Sequence, residues 1–142
     1  GIKCLVLDPL LDAGYTADYH TDKPKIFLQT VKASSRCAVF IDESGEMIGR
    51  YNDEMQWLAT RARHYGHKVH FICQRGVQIA KTVRDQCSRL FLFKVSFDDA
   101  KLFANEFAEM KLREANTLAK GECFIAGGFR PLRKISVSGK ER

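Results

Sequence analysis

Residues 38–44 read Ala38-Val39-Phe40-Ile41-Asp42-Glu43-Ser44, an apolar run rich in strand formers that passes directly into two adjacent carboxylates. A short continuous apolar run is the pattern of a strand buried on both faces, as in a parallel sheet. Ligand-binding and catalytic groups of open α/β sheets sit beyond the C-terminal ends of such strands. In a nucleotide-hydrolysing site the first acid holds Mg2+ and the second orients or deprotonates the attacking water, so the adjacency of Asp42 and Glu43 has a mechanical reason. The plainer reading is a strand end whose acids cap the next helix, and the run alone does not separate the two.

Its neighbours do more. On the C-terminal side, Asn52-Asp53-Glu54 has the form of a helix start, with an N-cap and acids in the first turn. Met55, Leu58, Ala59, Ala62 and Tyr65 recur at helical spacing and Gly66 stands where a C-cap glycine belongs, which predicts a helix over 52–65. Its other face carries Gln56, Thr60, Arg61, Arg63 and His64, more cations near the C-terminal end than the helix dipole calls for. Lys68–Cys73 is the next strand, and it ends in Gln74-Arg75-Gly76, so a second strand brings polar residues to its tip. A short helix over Val77–Cys87 and an apolar strand over Leu90–Val95 follow. The alternation of strand and helix predicts right-handed crossovers and a mostly parallel sheet with helices on both faces.

On the N-terminal side, Ile2–Pro9 reads as a strand that begins almost at Gly1, as though the sequence were an interior or C-terminal piece of a longer protein. Residues 10–24 hold Gly14, Asp12, Asp18, Asp22 and Pro24 without a clear period and read as a loop or short helix. Residues 25–31 are a short strand or a helix start. Toward the C-terminus, Phe97-Asp98-Asp99 opens a long helix reaching about Leu118, with Asp98 as N-cap and Leu102, Phe103, Phe107 and Met110 inward. Glu122–Ala126 and Leu132–Val137 form a hairpin around Gly127-Gly128 and Pro131. That hairpin and a basic tail over 121–142, with Arg130, Arg133, Lys134, Lys140 and Arg142, belong to the same single domain, residues 1–142.

The bulk properties agree with one globular domain. At 142 residues and 45% hydrophobic content the chain can bury a real core. No apolar run approaches the roughly 20 residues that span a bilayer, and no stretch reads as a signal peptide. Twenty-three Lys and Arg against 17 acids leave a net charge of +6, which suits a polyanionic partner. Cys4, Cys37, Cys73, Cys87 and Cys123 are widely spaced without a Cys-x-x-Cys pair, as reduced core residues of a cytosolic protein are. His64, His67 and His70 straddle a helix end, a turn and a strand, a spread that does not suit one metal.

The order of these elements carries a resemblance. A strand ending in Asp42-Glu43, a helix ending in Arg61-Ala62-Arg63-His64-Tyr65-Gly66, a strand ending in Gln74-Arg75, the Leu90–Phe93 run and a strand led by Lys120-Gly121-Glu122 resemble the C-terminal half of the FtsK/HerA superfamily ATPase core. These are P-loop motors that pump DNA, among them viral packaging and conjugation ATPases. The resemblance covers residues 1–137 and implies a P-loop NTPase (RecA-like) core incomplete at its N-terminus. It implies Asp42 and Glu43 as the Walker B pair, with Asp42 on Mg2+ and Glu43 on the water. Gln74 becomes the polar sensor near the γ-phosphate. Arg61 or Arg63, with Arg75 as another candidate, supplies an arginine finger to the next subunit of a hexameric ring. ATP and Mg2+ are the implied cofactors and DNA, gripped without regard to sequence, the implied partner. The implied place of work is the cytoplasm, or the host cytoplasm or virion for a viral protein.

One departure is large. A Walker A loop, Gly-x-x-x-x-Gly-Lys followed by Ser or Thr, cradles phosphates on backbone amides, and this sequence has none; its Gly139-Lys140 is followed by Glu141. The expectation is that the loop lies upstream and that this chain alone binds ATP poorly. Two other readings stand beside the motor. Asp8, Asp42 and Glu43 together would suit a two-metal nuclease or nucleotidyl-transfer site, and a Rossmann-like interaction module would need no chemistry at all.

Overall fold

The computed structural model describes residues 1–42 and 53–137, which divide into two compact units, residues 1–86 and 87–142. In the first unit the strands are β1 (Cys4–Leu7), β2 (Tyr19–Thr21), β3 (Ala38–Ile41) and β4 (Lys68–Phe71). They form one parallel sheet in the order β2-β1-β3-β4. The helices are α1 (Pro24–Lys32), α2 (Asp53–Thr60) and α3 (Lys81–Arg84), with 3-10 turns at Ala62–Tyr65 and Gly76–Gln78.

The sheet's alternation sorts its side chains. Leu5, Leu7, Val39 and Ile41 point to one face and join Phe27, Leu28 and Val31 of α1, Met55 and Leu58 of α2, and Val83 of α3 in a single core. Val6, Phe40 and His70 point the other way, and there Phe40 and His70 stack at 4.5 Å between ring centroids, with 9° between planes. Residues 25–31 are therefore helix, because Pro24 is pre-organised for a first turn and Phe27, Leu28 and Val31 are spaced for one buried stripe.

The helix expected over 52–65 is resolved into α2 and the 3-10 turn, with Asn52 outside the described residues. Gly66 ends the 3-10 turn in the left-handed region at φ 77°, as a C-cap glycine does. Beside it His67, 4% exposed, accepts a hydrogen bond from the Cys37 N–H at Nδ1 (3.1 Å). Its Nε2 lies 3.0 Å from the Val31 carbonyl, to which it donates in the neutral tautomer that this geometry selects. One imidazole thus ties the end of α1 to the starts of β3 and β4, with both of its ring nitrogens engaged by backbone groups.

The second unit holds β5 (Arg89–Leu92), α4 (Phe97–Glu106), a 3-10 segment Met110–Thr117, β6 (Glu122–Gly127) and β7 (Arg133–Ser136). Here the expected extension of the parallel sheet is corrected. β5 pairs antiparallel with β6, which pairs antiparallel with β7, in a separate three-stranded sheet. The expected β6–β7 hairpin is present. Leu92, Phe124 and Ala126 pack against Ala100, Phe103, Ala104, Leu112 and Ala115.

The long helix to Leu118 is also corrected. α4 closes at Glu106, Ala108 turns left-handed at φ 50°, and the chain continues as 3-10, leaving Met110 at 52% exposure instead of buried. Its N-cap is Ser96, whose hydroxyl accepts from the Asp99 N–H at 3.2 Å; Asp98 sits inside the first turn. Ser96 fills the role because it keeps extended backbone angles while its short side chain reaches back to the turn.

Candidate functional site

Level strands bring the acids together. In the first unit Leu7 is in register with Ile41, and Ile41 with Phe71, so the next residues of β1 and β3, Asp8 and Asp42, stand side by side at the C-terminal edge of the sheet. The ladder continues through them: the Asp42 N–H donates to the Leu7 carbonyl at 2.9 Å, the Asp8 N–H to Thr21 at 3.0 Å and the Ile72 N–H to Ile41 at 2.9 Å. Gln74 follows two residues beyond Ile72, exposed at the same edge.

Asp8 is 1% exposed. Its carboxylate accepts from the Leu10 N–H at 2.9 Å and the Asp12 N–H at 2.6 Å, and lies 3.3 Å from His20 Nε2. Burial works to raise its pKa, but those two backbone donors and His20 outweigh it and hold Asp8 below the ordinary carboxylate range. The role of this carboxylate is to shape the loop after β1. Three contacts already occupy most of this carboxylate's roughly four lone-pair sites, two on Oδ2 and one on Oδ1, so Asp8 is less free to bind a metal than the two-metal reading would have it.

Asp42 is half-buried, and the Tyr15 hydroxyl donates to its Oδ2 at 2.6 Å. That bond, then burial, then the charges of Asp42, Asp8 and Asp12 push the Tyr15 hydroxyl up to about 12. The Tyr15 ring also meets His20 edge-on, with centroids 5.7 Å apart. Asp8, His20, Tyr15 and Asp42 therefore form a continuous chain of contacts across the tips of β1, β2 and β3. Sequence reasoning missed Tyr15 and His20. They lie in a stretch without a period, and the one available signal was an excess of polar and aromatic residues directly after a strand tip.

The remaining candidates divide. Glu43 lies outside the described residues, as do Lys140 and Arg142 of the tail. Arg61 and Arg63 are exposed on the segment that leads into β4, whose first residue Lys68 pairs with Ala38 at the start of β3. They therefore stand at the N-terminal edge of the sheet, opposite Asp42, and Arg63 Nη2 donates to the Gln86 side chain at 3.2 Å. Arg75 is exposed directly after Gln74, where its backbone N–H donates to the Gln78 side chain at 3.2 Å.

Among the described residues no group of three or more His, Cys, Asp and Glu is arranged to hold a metal ion. That does not disqualify Mg2+, which is commonly held by one or two carboxylates with phosphate oxygens and water completing its shell. Asp42 is a hard oxygen donor at a half-open strand tip and fits that role.

No family model matches the chain, and no curated protein is similar to it at a significant level. Solved structures are similar. The genome packaging NTPase B204 of Sulfolobus turreted icosahedral virus 2, in complex with AMPPCP, aligns over 96% of this chain and 83% of its own at TM-score 0.76 and 14% identity. VirB4 of Thermoanaerobacter pseudethanolicus aligns over 89% of this chain and 43% of its own, at TM-score 0.62 and 12% identity. The plasmid coupling protein TrwB, with a non-hydrolysable GTP analogue, aligns over 81% and 35%, at TM-score 0.56 and 19% identity. The fold is thus that of a P-loop NTPase-like α/β core. At 12–19% identity this likeness is one of fold, and the fold is the one that the resemblance in the order of motifs implies.

Proposed function

We propose that this chain is the metal-and-water half of an ATP-driven motor that translocates or packages DNA. The observation that carries the reading is the placement of Asp42 and Gln74 just beyond the C-terminal ends of neighbouring parallel strands, in a fold whose neighbours include a viral genome packaging NTPase.

In this reading Asp42 would hold Mg2+, which would supply positive charge against the phosphates of ATP. Glu43, next in the chain, orients the attacking water and takes its proton. Gln74 donates or accepts at the γ-phosphate or at that water from the adjacent tip. Arg61 or Arg63 stands too far round the sheet to serve its own site and suits a finger reaching the site of the next subunit in a homo-oligomeric, hexameric ring. DNA is gripped through its backbone, as a translocase that must pass any sequence requires, and the +6 charge favours it. Packaging would place the protein in the host cytoplasm or the virion. No helix of the described residues is long and apolar enough to cross a membrane.

These residues include no Walker A loop, so the test needs the protein expressed with its flanking coding sequence. A Gly-rich loop ending in Gly-Lys-Ser or Gly-Lys-Thr is expected within about 60 residues upstream, the length of a βαβ unit with its loop; without one the motor reading fails. In that protein Glu43→Gln should abolish ATP hydrolysis while ATP binding survives, and preserved turnover would remove Glu43 from the mechanism.

A further inference from the structure

The outer face of the second unit's sheet is closed at Cys123, which is fully buried, but toward the β6–β7 turn it combines two features seldom left in the open together. Leu90, Leu92, Phe124 and Ala126 turn inward to their core, so strand alternation sends Arg89 and Phe91 the other way, with Phe93 continuing the row. Phe91 is 50% exposed and Phe93 48%. Register sets Phe91 beside Ile125 and Ile125 beside Arg133, so an aromatic ring and an arginine flank Ile125 from either side.

The β6–β7 turn adds a third ring. Gly127, Gly128 and Phe129 are all left-handed, and Phe129 is fully exposed at φ 56°, a conformation unfavourable to a non-glycine residue. The Arg89 guanidinium lies alongside Gly128, and Arg130 follows Phe129. Glu122, the one carboxylate of these strands, is on the opposite face, paired with Lys134 at 3.2 Å. No acid pairs with Arg89, Arg130 or Arg133 among the described residues.

Unpaired guanidiniums select an anionic partner, and rings set among them select one that also offers flat apolar surface. Nucleic acid carries both, phosphates along its backbone and π-faces on its bases. A second copy of the same face would set arginine against arginine and is disfavoured. We propose that the outer face of β5–β6–β7 and the β6–β7 turn bind DNA, with Arg89, Arg130 and Arg133 on phosphates and Phe129 and Phe91 against bases or sugars. The surface takes from the motor reading only the choice of DNA as the nucleic acid.

The test is fluorescence anisotropy of the 142-residue chain with labelled single-stranded and duplex oligonucleotides over a salt series, without nucleotide. Phe129→Ser should weaken binding about tenfold, the scale of one base stacked on an aromatic ring. Replacing Arg89, Arg130 and Arg133 together by Ser should reduce the slope of log affinity against log salt by roughly 0.9 for each phosphate that is no longer neutralised. Unchanged circular dichroism and melting would show that both variants fold. Folded variants with unaltered affinity and salt slope overturn the proposal. So does a folded chain that binds neither oligonucleotide, or a Phe91→Ser variant that loses self-association in sedimentation and keeps its DNA affinity. Because no nucleotide is present, failure of the hydrolysis test leaves this result standing by itself.

Discussion

The Tyr15 hydroxyl reaches across the sheet edge to the Asp42 carboxylate at 2.6 Å, joining a loop residue that follows β1 to the acid that ends β3. Deleting that hydroxyl with Tyr15→Phe should cost about 1–2 kcal/mol in chemical denaturation, the scale of one hydrogen bond to a charged group at a half-buried site. A tyrosine held near 12 should also give a late step in an ultraviolet titration that the variant lacks. Its folded pKa is raised above the ordinary value of about 10. The stabilisation is therefore complete below pH ~10 and fades as pH climbs toward 12.

Asp8 predicts the opposite arm of the pH profile. Its folded pKa is lowered, so its contribution is full above the ordinary carboxylate value of about 4 and is lost as pH falls below it. Asp8→Asn should destabilise the chain at neutral pH by about 2–3 kcal/mol, since an amide replaces one accepting oxygen with a donor facing a backbone N–H. Urea melts at neutral and acidic pH should show a shallower acid loss in the variant than in the parent. Equal losses would mean that other carboxylates dominate.

His67 stands between a buried donor and a buried acceptor, the Cys37 N–H and the Val31 carbonyl. His67→Leu keeps the volume but leaves the buried Cys37 N–H without an acceptor, while the Val31 carbonyl keeps its bonds from the Ser34 N–H and hydroxyl. A loss of about 1–3 kcal/mol is expected in thermal or urea unfolding, the scale of one buried donor left unsatisfied. A loss under about 0.5 kcal/mol, the scale of an ordinary surface substitution, would show that the Cys37 N–H finds another acceptor.

Two glycines with similar dihedral angles should respond differently to alanine. Gly66 and Gly127 have φ of 77° and 85°, so both substitutions incur the left-handed penalty of roughly 1–2 kcal/mol. At Gly66 the new methyl meets the Arg36 side chain at Cγ, 2.8 Å away, whereas at Gly127 it meets the Ser88 carbonyl oxygen more closely still. Gly127→Ala should therefore be the more destabilising of the two in paired melts, because backbone cannot swing aside as a side chain can.

The legible parts of the fold were those written in local pattern. The apolar run into Asp42, the helix stopped by Gly66 and the glycine turn of the C-terminal hairpin each state their structure within a few residues. β2 escaped because Tyr19-His20-Thr21 is short and polar, and its strand state comes from pairing with β1 instead of from its own composition. β5 was read as parallel because Leu90-Phe91-Leu92-Phe93 is continuously apolar, although Phe91 and Phe93 are in fact half open; pairing direction is settled by β6, some thirty residues later. At the site, Asp42 and Gln74 were visible as strand tips. Tyr15 and His20 belong to no motif, and only the three-dimensional approach of two strand ends gives them a role.

Cys4, Ala38 and Lys68 begin their strands in one row, and that common starting line has a consequence for how the protein tolerates change in length. Removing a single residue from Ala38–Ile41 would shift every later side chain to the opposite face, sending Phe40 toward α1 and turning Asp42 away from Tyr15. Residues can be added or lost in loops beyond the strand tips without that penalty. Insertions and deletions compatible with a working edge should therefore fall after the tips and never inside the strands, a rule that a deletion scan across residues 36–42 would expose directly.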